Sequence, residues 1–378
     1  MKNLNGGNTM DKSKMTEMFF GPNHPGVPGN YGINYFYEGD TVVSAEPNAG
    51  HLHRGFEKLM EEREWIKNTA LVCRICVMEP DINEMVYAMG YEAIGEIEVP
   101  KRAQYIRSII LEMARIQAHI FSIGGNCGAI GLYTAMHWGV LARDYILDLF
   151  EEITGGRVYH IYIRPGGVRH DIETSTFQKL LDLLDDLEKN RMPEFEKLIF
   201  ENPTAQKRWK STAVLNQEDA LRLGVTGPTL RATGLEHDVR KLMPYGAYDE
   251  VDFEIPTGNN ADAWTRMKLK RDEIFQSINI IRQLIKNIPD GPVSVNLGNA
   301  LKYRIPKGEA YVKVESGRGE YGYYMVSDGS LKPYRVHVRG TSTPLGLYGV
   351  EALLPGTRIE DVPVWAHSLG ICPPEFDR

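Results

Sequence analysis

Cysteine is scarce in this chain, with four among 378 residues. So few thiols cannot build a disulfide framework. They are also too few and too unevenly spaced to hold an iron–sulfur cluster. A basic excess is missing too: the formal net charge is −7, which argues against nucleic-acid binding. No stretch approaches the ~18 uninterrupted apolar residues that read as a membrane span. Nor does a cationic start lead into an apolar run, as in a secretory signal. What remains is an ordinary globular composition, 42% hydrophobic and 25% charged.

The few cysteines are placed with purpose. Cys73 and Cys76 form a Cys-x-x-Cys pair in Leu71-Val-Cys-Arg-Ile-Cys76. Close to the C-terminal end, Cys372 and Glu375 repeat the three-residue step in Ser368-Leu-Gly-Ile-Cys-Pro-Pro-Glu375. A four-thiolate metal site needs soft ligands from both ends of the chain to converge. Here the set is three thiols and one carboxylate, a metal pocket altered for another use. The alternatives for the first pair are a redox or zinc half-site, or small buried side chains. Cys127, after Gly124-Gly-Asn126, reads as a small buried hydrophobe.

The chain is expected to be α+β: a central bundle of long helices with antiparallel sheets from the N-terminal and C-terminal segments. Residues 1–16 read as a flexible tail, 17–48 as strand and loop, 49–300 as a helical core, and 301–378 as an antiparallel sheet with a closing tail. Gly21-Pro-Asn-His-Pro-Gly-Val-Pro-Gly29 carries three prolines and three glycines, so it should be a rigid loop. Strands are expected over 31–46, and a helix from His51 to Glu62. The clearest helix is 101–121, where Ile106, Ile109, Ile110, Met113, Ile116 and Ile120 recur at steps of three and four. Others run from about Leu132 to Ile153, Thr176 to Lys189 and Asp262 to Lys286. Strands return over 310–340, with Ser327-Asp-Gly-Ser330 as a hairpin turn.

Ordered motifs along nearly the whole chain resemble a known superfamily. They include Gly21-Pro-Asn-His-Pro25, Leu52-His-Arg-Gly-Phe-Glu-Lys-Leu59 and Val99-Pro-Lys-Arg-Ala-Gln-Tyr-Ile-Arg107. Gly166-Gly-Val-Arg169, Gly224-Val-Thr-Gly-Pro-Thr-Leu-Arg231, Glu315-Ser-Gly-Arg-Gly-Glu320 and the final Asp377-Arg378 continue the match. The superfamily joins the large subunits of energy-converting membrane nickel–iron hydrogenases to the 49 kDa subunit of respiratory complex I. Hydrogenases carry two Cys-x-x-Cys pairs; here Glu375 replaces the last thiol, and Arg74 stands where a small residue is usual. The complex I quinone histidine and tyrosine positions fall at Pro28 and Arg74. This mixture resembles the membrane-bound sulfane sulfur reductases of anaerobic archaea.

That resemblance implies a catalytic-arm subunit reducing polysulfide S–S bonds to sulfide. Cys73, Cys76 or Cys372 would engage the sulfur, Arg74 would stabilise the anion formed, and Glu375 would supply a proton. Arg74 is alternatively an internal ion-pair partner of Glu375. His24, Glu57 and Arg169 would line the pocket or relay protons. The resemblance also implies that no cofactor is bound by this chain alone, with a four-iron four-sulfur cluster in an adjacent small subunit. A further cluster-bearing subunit, antiporter-like ion-pumping membrane subunits and ferredoxin as electron donor complete the expected partners. The chain would sit peripherally on the cytoplasmic face of the membrane. Three other functions stay open: a hydrogenase with Cys73, Cys76, Cys372 and Glu375 as metal ligands, a quinone-reducing module, and a non-catalytic adaptor.

Overall fold

The computed structural model describes residues 15–299 and 301–378. Residues 1–14 of the expected tail lie outside the described residues. Thr16, placed in that tail by the sequence, opens a strand instead. The strands β1 (Thr16–Phe20), β2 (Gly32–Glu38) and β3 (Thr41–Asn48) form an antiparallel sheet in that order. Phe20 pairs with Ile33, and Tyr35 with Ala45, so the alternating apolar side chains share one buried face.

The helix α1 (Phe56–Glu62) is shorter than expected. Gly55 sits in the left-handed region at φ 64, which ends any helix arriving from His51. Its backbone neighbours serve another purpose: the amides of Gly50 and Leu52 donate to the Asp377 carboxylate at 2.9 and 2.7 Å. The helix α2 (Pro80–Gly95) has no clear sequence signature because 13 of its 16 residues are buried. A helix covered on all sides has no polar face to give a 3.6-residue contrast.

Three long helices make the bundle: α3 (Lys101–Ala129), α4 (Tyr133–Thr154) and, later, the longest helix of the second half, Ala263–Asn287. All six predicted apolar positions of α3 are buried at 1% exposure or less. The helix runs past the expected end at 121, through Gly124, Gly125 and Gly128. Helix-interior glycine costs about 1 kcal/mol each relative to alanine. Close approach to α4 offsets that cost: a Cβ on Gly124 would lie 3.3 Å from the Met136 carbonyl oxygen. α4 stops, as expected, at a left-handed Gly155.

A short hairpin follows, β4 (Ile163–Arg164) and β5 (Gly167–Val168), and then α5 (Thr174–Asp186). The long helix Ala263–Asn287, α6, is capped by Asp262, whose side chain accepts from the Thr265 amide at 2.8 Å. The second sheet is antiparallel: β6 (Gly308–Ser316), β7 (Gly319–Ser327) and β8 (Arg335–Arg339). Its tight turn is Gly317-Arg318, joining β6 to β7, whereas Ser327–Ser330 begins a longer connection to β8. The sheet packs on α2, where the Tyr321 and Tyr323 hydroxyls donate to Asn83 at 2.7 and 3.0 Å. The chain closes with α7 (Val362–Ser368) and α8 (Pro373–Phe376). Trp365 and Phe376 join the first sheet in a second apolar core. The α+β class expected from the sequence is the one observed.

Candidate functional site: a thiol and guanidinium cluster beside a cavity

Two segments far apart in the sequence meet at one point. Cys73 and Cys76 follow a short helical stretch, Thr69–Val72, and Cys372 immediately precedes α8. Arg54 ties the two segments together. Its guanidinium donates to the carbonyls of Arg74 at 2.9 Å, Ile75 at 3.3 Å and Pro374 at 3.2 Å. Cys76 Sγ and Cys372 Sγ are thereby held 3.9 Å apart.

The cation at this point is Arg318. Its Nη2 lies 2.9 Å from Cys76 Sγ, 3.1 Å from Glu375 and 3.4 Å from Glu79. The turn is locked in place by glycines. Gly319 has φ 127, and a Cβ there would come within 2.5 Å of Thr226 Oγ1; a Cβ on Gly227 would meet the Arg318 carbonyl oxygen at 2.4 Å. Only glycine fits such an approach. The two carboxylates are also fixed. Glu79 Oε1 accepts from the Gly317 amide at 2.6 Å. Glu375 Oε1 accepts from Thr341 at 2.8 Å and from the Ser342 amide at 2.9 Å.

These contacts set the protonation of the thiol pair. Cys76 is brought down to about 6, first by the hydrogen bond from Cys372 and also by Arg318, against the opposing effect of burial. Cys372 is pushed up by the same bond and by burial. Both directions place the negative charge of the pair on Cys76, the sulfur beside Arg318. Burial pushes Cys73 up to about 12, and its Sγ faces the Ala70 carbonyl at 3.5 Å. Cys127, also pushed up to about 12 by burial, is a buried thiol apart from this cluster.

Beside the cluster lies a cavity of about 790 Å³. Cys372, Arg318, Glu79, His24, Lys270 and His367 contribute to its wall, with mostly apolar residues between them. His24 sits in the expected proline-rich loop. Its Nδ1 accepts from the Gly26 amide at 3.0 Å, and its ring stacks on Phe20 with centroids 4.0 Å apart.

Several sequence expectations need correction. Arg74 is not the partner of Glu375: it is exposed, donates to Ala70 and Cys73, and rests on the Tyr159 ring. Arg318 makes that ion pair. Glu375 is fixed in place: Oε1 accepts from Thr341 and the Ser342 amide, and Oε2 lies 3.1 Å from Arg318. Glu57 lies outside the cavity wall and binds the Val338 amide and Arg378, holding the C-terminal segment. Arg169 is exposed and also lies away from the cavity. A nickel–iron centre does not fit these residues. The Arg318 guanidinium sits between Cys76 and Glu375, and Glu375 is ion-paired with it while its Oε1 accepts from Thr341 and Ser342. Among the described residues no group of three or more Cys, His, Asp or Glu is arranged to hold a metal ion.

Sequence reasoning misses Arg318, Glu79 and Lys270. One signal is present: Cys76-x-x-Glu79 has the same spacing as Cys372-x-x-Glu375. The two Cys-x-x-Glu steps converge on one guanidinium. No comparable pattern marks Lys270, which sits within a helix rich in charges.

Comparison with known proteins agrees with this architecture. A family model described as the respiratory-chain NADH dehydrogenase 49 Kd subunit matches residues 129–302 and 298–378. An NADH-quinone oxidoreductase subunit of Thermosipho melanesiensis is 56% identical, over 96% of this chain and 99% of that protein. An F(420)H(2) dehydrogenase subunit of Methanosarcina mazei is 37% identical, over 95% and 96%. A chain in the structure of an archaeal respiratory membrane complex, the membrane-bound sulfane sulfur reductase, superimposes with a TM-score of 0.93. It is 45% identical and the match covers 98% of this chain and 100% of that one. With the family model matching more than half of the chain and these relatives matching nearly all of it, the chain belongs to the respiratory-chain NADH dehydrogenase 49 kDa subunit family.

Proposed function

We propose that this chain is the catalytic-arm subunit of a membrane-bound respiratory oxidoreductase complex and that its cavity is where sulfane sulfur is reduced to sulfide. The observation that carries this reading is the Cys76–Cys372 pair, 3.9 Å apart, with Arg318 2.9 Å from Cys76. Breaking one S–S bond of a polysulfide takes two electrons, and each sulfur end leaves with one negative charge. A thiolate to engage sulfur and a fixed cation beside the developing anion are suited to that step. Cys372 meets the cavity, and Cys76 lies behind it against Arg318.

The electrons must come from outside this chain. By the family resemblance, their source is a four-iron four-sulfur cluster in a small partner subunit, with ferredoxin as donor. No helix among the described residues is long and apolar enough to cross a membrane. Attachment would therefore rest on the other subunits, including ion-pumping membrane chains. The structural similarity to the sulfane sulfur reductase supports the substrate class. Reduction of a quinone in the same cavity is the second reading. Its support is the similarity to an NADH-quinone oxidoreductase subunit and the largely apolar wall.

The test is turnover of the intact complex, purified without oxygen and supplied with a low-potential dye and polysulfide. Sulfide production should fall about tenfold or more in Cys76→Ser and in Cys372→Ser. Wild-type rates in both variants would refute the role given to the thiol pair. Polysulfide-independent quinol formation by the wild type would favour the second reading.

A further inference from the structure

Arg318 is not the only cation on the cavity wall. Lys270, on α6, lines it as well and is 2% exposed. The two differ in how their charge is met. Arg318 faces Glu79, Glu375 and the Cys76 sulfur. Lys270 donates to Ser122 Oγ at 2.7 Å and has no carboxylate within 4.0 Å among the described residues. The nearest acidic group on its own helix, Glu273, is already engaged. One of its oxygens accepts from Arg231 at 2.7 Å, and the other is 2.8 Å from His119 Nε2.

A buried ammonium with no carboxylate in contact is costly to keep charged, and in a cavity it marks a site for an anion. It carries three donors, of which Ser122 takes one. The cavity wall is mostly apolar, with Ala118, Phe121, Met78 and Met136 among its residues, beside the polar Ser122, His119 and Glu79. Such a lining disfavours a strongly hydrated oxyanion, which needs many donors. It suits a small polarisable anion whose body is apolar and whose charge is at an end.

We propose that Lys270 is an anion-binding residue of this cavity, anchoring the charged end of a short, polarisable anionic substrate in the same space as Arg318. On the sulfur-reducing reading, on which the choice of substrate rests, that anion is an inorganic polysulfide or an organic persulfide. Neutral polysulfides lack the group that Lys270 would hold. The site therefore sets substrate preference, beyond the chemistry of the thiols.

The charge on Lys270 is itself finely balanced. Burial lowers its pKa to about 7, Arg266 and Arg318 act in the same direction, and Glu273 and Glu79 oppose them. His367, from α7, feels Lys270 in turn and is lowered to about 4, chiefly by burial. It is therefore neutral where Lys270 titrates. A bound anion would favour the ammonium form, so affinity for a non-titrating anion should fall as pH rises through about 7.

Two measurements on the intact anaerobic complex test this. The first compares inorganic polysulfide with neutral dimethyl trisulfide. In Lys270→Met the ratio of their kcat/KM values should fall about tenfold or more, and Lys270→Arg should restore much of it. An unchanged ratio, including equal losses for both substrates, would overturn the proposal. The second uses thiocyanate, a small polarisable anion, and follows its bound infrared band. The band should be present in the wild type, weaken above about pH 7, and be absent in Lys270→Met. No bound band, or one unaltered in Lys270→Met, would overturn the anion site. If the wild type reduces neither sulfur compound, the sulfur reading fails, and the thiocyanate result alone decides the role of Lys270.

Discussion

Replacing Arg318 with methionine removes the cation on which Cys76, Glu79 and Glu375 converge. The size of the loss follows from the geometry. The Arg318 side chain is 14% exposed, and those of Glu79 and Glu375 are 2% and 0% exposed. The small energies of surface ion pairs therefore do not apply. Removing one partner of a buried pair costs about 3–5 kcal/mol, since the remaining charge is left without compensation. Arg318→Met should fall in that range. Glu375→Gln should cost less, about 1–3 kcal/mol, because a side-chain oxygen can still accept from Thr341 and Ser342. The double variant should be less destabilised than the sum of the singles by about 1–3 kcal/mol, because both lose the same pair. Urea unfolding of the purified chain, followed by tryptophan fluorescence, measures all three. A cost under about 1 kcal/mol for Arg318→Met with additive singles would refute the buried-pair assignment.

Other expectations come from the same residues. The ultraviolet thiolate signal removed by Cys76→Ser should titrate near pH 6. In Cys372→Ser, which replaces the thiol donor, that midpoint should rise; an unmoved midpoint would show that Cys372 does not set it. Gly319→Ala should cost about 2 kcal/mol or more, because φ is 127 and Thr226 blocks the new Cβ. Equilibrium unfolding would show this, and a neutral effect would contradict the locked turn. Glu57 is held below its ordinary value: burial acts to raise it, but the Val338 amide and Arg378 outweigh that. Its contribution to stability is present above about pH 4.5 and is lost as pH falls below that. Glu57→Gln should therefore flatten the acid side of a stability–pH curve; an unchanged acid limb would argue against the clamp.

The parts of the fold legible in the sequence are those with a one-sided pattern. α3 shows itself through six isoleucine and methionine positions, and β2 and β3 through alternation. α2 does not, because burial on every side erases the contrast that periodicity needs. The sequence places the end of α3 too early, since a glycine pair reads locally as a breaker. Only the facing backbone of α4 explains why small residues are wanted there. Spacing alone singles out the thiols and Glu375; Cys76 and Cys372 do meet and Arg318 joins Cys76 to Glu375, whereas Cys73 turns to the Ala70 carbonyl and Arg74. Position between two cysteines in sequence points to Arg74 as the cation. Arg74 instead turns to Ala70, Cys73 and the Tyr159 ring, and the cation beside Cys76 comes from far along the chain. Arg318 wins because the Gly317–Gly319 turn is wedged against Gly227, which no single-segment reading contains. Lys270 cannot be singled out at all, since its missing counter-ion is a property of three helices and a turn together.

Sulfur reduction at the Cys76–Cys372 pair is tested most directly by following three products in one sealed vial. The intact complex, purified without oxygen, is supplied with a low-potential electron donor, polysulfide and a quinone analogue. Sulfide, hydrogen and quinol are then measured together. Sulfide that depends on polysulfide is expected, with neither hydrogen nor quinol, and it should be lost in Cys372→Ser. Hydrogen or quinol without polysulfide-dependent sulfide would contradict sulfur reduction in this cavity.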